Sequence, residues 1–240
     1  MDDTYHLSAI ILKREDFREN DSRVFVFSKE KGKLELVARG TKKTKSKLAG
    51  HLEPFNLVEI MAIRGRNFDY VGTALSSECF FDLKNDLEKL DKAGKAINVF
   101  NNSVKLNEAT DALNLYVLLK KYLKNTNNSE KNQELLFCIF LLKLLVELGY
   151  APMMETCSAC GGTLGTEIFF SSASGGSVCA NCLGNVESFT KISPEVADWI
   201  KKIIKNDLEF FSNSMIEQNV FRELDSIISD YFQYTSGGKI

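Results

Sequence analysis

The chain has 240 residues, 44% of them hydrophobic, with 30 Lys and Arg against 32 Asp and Glu. That length supports one large or two modest domains, and the near balance of charge excludes a globally basic nucleic-acid binder, so any such role needs a local cluster of cations. The acidic start Met1-Asp2-Asp3-Thr4 lacks the basic head of a signal peptide, and the strongest apolar stretch, Leu135 to Leu148, is broken by Lys143 and Glu147 and is too short for a bilayer. A cytoplasmic chain with reduced thiols is expected.

Residues 5 to 76 read as short strands: Leu7 to Leu12, Arg23 to Ser28, Leu34 to Arg39, Phe55 to Arg64 and Phe68 to Leu75 are rich in β-branched and aromatic residues. Turn signals such as Lys31-Gly32 and Arg64-Gly65-Arg66-Asn67 separate them. Five strands in this span predict a small barrel, either an OB-fold or an SH3-like barrel, which produce nearly the same pattern. In Val24-Phe25-Val26-Phe27 the valines share one face and the phenylalanines the other, so the strand can be covered on both sides.

Between Leu36 and Leu52 lie Arg39, Lys42, Lys43, Lys45 and Lys47 with no acid among them, a local charge of +5. Gly40 and Gly50 near its ends suggest a mobile loop whose cations reach several phosphates. An OB-fold combines such a cationic track with aromatic stacking, for which Phe25, Phe27, Phe68 and Tyr70 are candidates. Each aromatic has an ordinary core role as its alternative, and a lysine-rich loop is more often merely solvated. Against that, residues 1 to 77 collect 14 of the 30 basic residues, and the two parts of the chain differ in sign of charge.

Beyond residue 78 the pattern becomes helical, near 82 to 104, 109 to 124 and 132 to 148, with asparagine-rich breaks at Asn101-Asn102 and Asn125 to Asn128. The third segment is apolar on nearly every side, which marks a central helix, and Gly149 supplies its stop. A cysteine module spans about 153 to 190. Helix resumes at Ser193-Pro194-Glu195, a cap, a first-turn proline and a dipole-complementing acid, giving helices near 194 to 210 and 216 to 234.

Cys157-x-x-Cys160 and Cys179-x-x-Cys182, 18 residues apart, have the spacing of a four-cysteine zinc site. A redox pair or an iron site is the alternative. Gly161-Gly162 and Gly184 stand where the backbone must bend around a metal. Four sulfur ligands would close the tetrahedron and leave no position for water, so the metal is expected to be structural. The only histidines, His6 and His51, stand in no catalytic motif and read as surface or packing residues, which argues against a zinc enzyme. From Leu144 to Thr190 there is no Lys or Arg, only Glu147, Glu155, Glu167 and Glu187, so phosphate contacts there would be repelled.

Two stretches together resemble the RecO family of recombination mediators. One runs from Leu12-Lys13-Arg14 and Glu19-Asn20-Asp21 through Gly32-Lys33, Ala38-Arg39-Gly40 and Lys45-Ser46-Lys47-Leu48 to Leu52-Glu53-Pro54-Phe55. The other is Leu148-Gly149-Tyr150-Ala151-Pro152 leading into the two cysteine knuckles, with Gly175-Gly176 between them. The resemblance implies an α+β protein: an N-terminal OB-fold β-barrel that binds DNA, residues 1–78, followed by an all-helical domain, 79–240, with an inserted four-cysteine zinc finger. It implies Zn²⁺ on Cys157, Cys160, Cys179 and Cys182, and DNA contacts from Arg39, Lys42, Lys43, Lys45 and Lys47. It further implies a non-enzymatic role on single-stranded DNA, with RecR and single-strand-binding protein as partners, RecA as the recombinase loaded, annealing of complementary strands, and a place at the bacterial nucleoid in the cytoplasm. An RNA-binding zinc-ribbon protein of translation or transcription would use the same parts and is the competing expectation. No phosphate loop of the G-x-x-x-x-G-K-[ST] type occurs.

Overall fold

The computed structural model describes residues 3–107, 111–130 and 132–237. Contacts group the chain into two compact units, residues 1–128 and 129–240.

In the first unit, β1 (Thr4–Phe17), β2 (Asp21–Ser28), β3 (Gly32–Ala38), β4 (Leu57–Ile63) and β5 (Asp69–Glu78) close into a barrel in the order β1-β2-β3-β5-β4. All pairs are antiparallel except β3 with β5, where Leu36 faces Asp69 and Val37 faces Tyr70. This order, with its one parallel pair and its Greek-key crossover, is the OB-fold and decides between the two barrels. β1 is longer than the apolar run Leu7 to Leu12. Its first half pairs with β4 and its charged second half with β2, and a bulge between Ile11 and Lys13 turns it from one partner to the other. Alternate residues point inward, and Leu7, Ala9, Ile11, Val24, Val26, Leu36, Ile60 and Val71 fill the barrel with Leu52 of the β3–β4 loop.

Helices α1 (Phe81–Asn85), α2 (Leu87–Ser103) and α3 (Ala112–Asn128) follow. They pack with the barrel, so residue 78 marks a change of secondary structure while the compact unit runs on to Asn128. Phe27, on the outer face of β2, is buried edge-on against Phe100 of α2, with ring centroids 4.8 Å apart. The helix expected over 82 to 104 is interrupted at Asp86, whose extended backbone and side chain cap α2 by accepting from the N–H groups of Glu88 and Lys89. The break expected at Asn125 to Asn128 comes at the end of that run: α3 continues to Asn128, about one turn past the expected 124, where the Asn127 side chain accepts from the Leu83 N–H. The start expected at 109 lies outside the described residues.

The second unit is built on α4 (Gln133–Glu147), buried on nearly every side, against α5 (Pro194–Lys205) and α6 (Gln218–Ser236). Gly149 ends α4 with φ +84°, a conformation glycine adopts without steric cost. Ser193 caps α5 as its sequence indicates. α5 stops at Lys205 rather than 210, and a short 3₁₀ turn, Leu208–Phe211, follows. Between α4 and α5 a three-stranded sheet, β7-β6-β8, is formed by β6 (Ile168–Ser171), β7 (Gly176–Val178) and β8 (Thr190–Ile192). Among the described residues no helix is long and apolar enough to cross a membrane.

Candidate metal centre and nucleic-acid surface

Each cysteine pair is shaped by a tight turn. Gly161 donates its N–H to Cys157 O (2.8 Å) with φ +72°, and Cys182 donates to Cys179 O (3.0 Å). Gly184, in contrast, keeps a negative φ within a 3₁₀ turn. The sheet brings the two turns together: Ser158 N–H bonds Ser177 O (2.8 Å), and Cys179 N–H points at Cys157 Sγ (3.4 Å). The chain from Met153 crosses Gly176, where φ is +153° and any Cβ would stand 2.2 Å from Met153 O.

The four Sγ atoms all lie within 4.8 Å of one another, and Cys160 and Cys179 are 4.0 Å apart. Metal–sulfur bonds of about 2.3 Å in a tetrahedron place sulfurs about 3.8 Å apart, so the cluster can hold a metal ion. All four thiols are free, at separations well beyond a disulfide bond. Burial pushes the Cys157 thiol up, but the N–H groups of Cys179, Cys160 and Ala159 and the Cys160 thiol outweigh it and bring it down to about 6. Cys182 is pushed up to about 12 by its hydrogen bonds to the Cys160 and Cys179 sulfurs, then by burial. Among the described residues no histidine or carboxylate joins the group. His51 is engaged elsewhere, its Nδ1 accepting from the Ser76 N–H (3.1 Å). The acids around the module are partly neutralised: Glu155 pairs with Lys205 and Lys201, and Glu167 with Lys191.

On the barrel, the segment Arg39 to Lys47 does not extend as a free loop. Gly40 N–H bonds Asp21 Oδ1 (2.9 Å), the Thr41 hydroxyl donates to Ser22 Oγ (2.7 Å, buried), and Lys42 N–H bonds Asn20 O (3.2 Å). Polar groups of the β1–β2 turn therefore pin its first residues. The five expected cations divide. Lys42 pairs with Asp16 (3.0 Å), and the Arg39 guanidinium lies 4.1 Å over the Tyr70 ring. Lys43, Lys45 and Lys47 are exposed, with no ion pair among the described residues.

Of the candidate stacking rings, Phe27 is core. Phe25 is half-buried on the outer face of β2, opposite Lys13 and Glu35. Phe68 meets Phe17 edge-on at 5.9 Å, and the Phe17 ring carries Arg18 and Arg23 at 5.0 and 4.9 Å. Phe17, Arg18 and Arg23 are additions that sequence reasoning missed: all three belong to the β1–β2 hairpin, and only its closure lays Arg23 over the Phe17 ring, with Phe68 of the β4–β5 loop against it. Arg18 holds φ +55°, the kind of local strain that clusters at functional turns. These cation–ring pairs lie at the β1–β2 and β4–β5 loops, the binding side of an OB-fold.

The family model described as Recombination protein O N terminal matches residues 1–80, and that described as Recombination protein O C terminal matches residues 79–240. Curated relatives called DNA repair protein RecO match at similar reach. That of Acetivibrio thermocellus is 27% identical over 94% of this chain and 89% of its own length, and that of Desulforamulus reducens 29% over 96% and 89%. That of Cutibacterium acnes is 33% identical over 75% of this chain and 74% of its own. With both halves matched in order, on an OB-fold followed by helices and a four-cysteine cluster, the chain belongs to the RecO family of DNA repair proteins.

Proposed function

We propose that the chain is a non-catalytic recombination mediator that binds single-stranded DNA on its OB-fold. The barrel, residues 1–78, serves as the DNA module, and the helices of 79–240 support it up to Asn128 and carry a structural zinc insertion beyond. The observation that carries this reading is the set of arginines lying over aromatic rings, Arg18 and Arg23 on Phe17 and Arg39 on Tyr70, with Arg23 also paired to Glu35, together with exposed Lys43, Lys45 and Lys47, which have no ion pair among the described residues. Phosphates release counterions on meeting such cations, while unstacked bases take up ring faces, a combination that favours single strands over duplex. The cytoplasmic partners are RecR and single-strand-binding protein, with RecA loaded onto the exposed strand, and two strands held this way can anneal. Zn²⁺ on Cys157, Cys160, Cys179 and Cys182 would supply cross-linking of the two turns and no reaction step.

The test is fluorescence anisotropy of labelled single-stranded DNA at several salt concentrations. The native chain should show log affinity falling with log salt at a slope of about −3. Replacing Lys42, Lys43, Lys45 and Lys47 by alanine should weaken binding and flatten that slope. Absence of binding by the native chain would sink the reading, and a preference for RNA of equal sequence would favour the zinc-ribbon alternative.

A further inference from the structure

The basic segment is held at its far end by a second, less obvious clamp. Asn56, fully buried, uses its whole side-chain amide there. Its Nδ2 donates to Gly50 O (3.0 Å) and His51 O (3.1 Å), and its Oδ1 accepts from the Lys84 ammonium of α1 (2.6 Å). Its main-chain O also accepts from the Ile11 N–H (3.0 Å), fixing it to β1. Arg14 adds a parallel hold, donating to Ala49 O (2.8 Å) and pairing with Glu53 (2.7 Å). Leu52, in the barrel core, lies within this arc. Residues 49–56 are therefore anchored by side chains from β1 and α1, while between them and the pinned Thr41 the lysines 43, 45 and 47 rest on local turns alone.

A half-buried ammonium is costly unless it does something specific, and burial lowers the pKa of Lys84 against the opposing pull of Cys79 and Glu53. Its hydrogen-bond acceptor, Asn56, grips the loop at two successive carbonyls. We propose that Lys84 and Asn56 are positioning residues that hold the cationic segment 42–47 in place beside the barrel face, so that DNA meets ordered cations. The proposal rests on the DNA-binding reading above. Neither residue touches DNA; both act through Gly50 and His51. An ordered loop loses less conformational freedom on binding, and releasing it should weaken DNA binding about tenfold.

Lys84→Met, Lys84→Arg, Arg14→Met and the quadruple lysine variant would be compared in full-length protein. The readouts are circular dichroism, the native-state rate of trypsin cleavage after Lys42 to Lys47, and single-strand affinity across salt. Lys84→Met should keep its fold, be cut in the segment about tenfold faster, and bind DNA about tenfold more weakly at an unchanged salt slope, because the cations are the same in number. Lys84→Arg should restore both. Arg14→Met, which loosens the same arc from the other side, should act in the same direction and decides the matter if Lys84→Met fails to fold. Unchanged cleavage in folded Lys84→Met would overturn the proposal, as would a flattened slope, which would make Lys84 a phosphate contact. If the quadruple variant binds as well as the native chain, the DNA reading fails, while the cleavage rates still report on the clamp.

Discussion

Single residues carry much of the geometry of the metal centre. Gly176 sits at φ +153° with Met153 backbone where a Cβ would be, and backbone cannot retreat as a flexible side chain can. Gly176→Ala should cost about 3 kcal/mol or more of the stability of the 129–240 unit, read as a fall in its melting temperature. A melting curve unchanged within a degree would show that the crossing is not tight. Residue-scale legibility was uneven. The four cysteines could be named from spacing, because two ligands on one tight turn must be close in sequence. The glycine crossing could not, because Met153 and Gly176 are neighbours only once β6 and β7 pair. Phe27 shows the converse limit: alternation separates the phenylalanines from the valines of β2, but which face lies outside the barrel, and that Phe100 of α2 makes it core at Phe27, only the fold decides.

At the scale of elements, polar residues at segment ends were read well when their partner is local. Ser193 accepts from the Val196 N–H, three residues on, and also donates to Glu223. Ser193→Ala should destabilise α5 by about 1 kcal/mol, measured by chemical denaturation. No loss would mean that Glu223, which still accepts from the Ser193 N–H, holds the helix start unaided. Where the partner is distant, local reading failed. Asn125 to Asn128 carry the composition of a break, yet α3 runs on to Asn128 before it stops, with Asn127 capping the first turn of α1 from across the unit. The lysine loop failed for a related reason. Its glycines suggest freedom, while Asp21, Ser22 and Asn56 bind it down.

For the whole molecule, the two compact units separate the cysteine cluster from the proposed DNA face. The cysteines lie in residues 129–240 and the proposed DNA face in residues 1–128. If the cysteines hold the proposed zinc, a chelator, or Cys157→Ser, should lower the unfolding temperature of the second unit while single-strand affinity changes less than about twofold. Calorimetry and anisotropy on the same samples check this, and loss of DNA affinity in a still-folded variant would count against a purely structural metal. The sequence by itself determined the order of barrel, helices and cysteine module, and the four cysteines that the fold clusters, because strand alternation, helical period and CxxC spacing act over a few residues. Only the tertiary structure decided that the barrel closes as an OB-fold, that α1 to α3 belong with it, and that Arg39 meets the Tyr70 ring and Phe68 the Phe17 ring. Those outcomes depend on pairings between residues far apart in the chain, and local propensity carries no term for them.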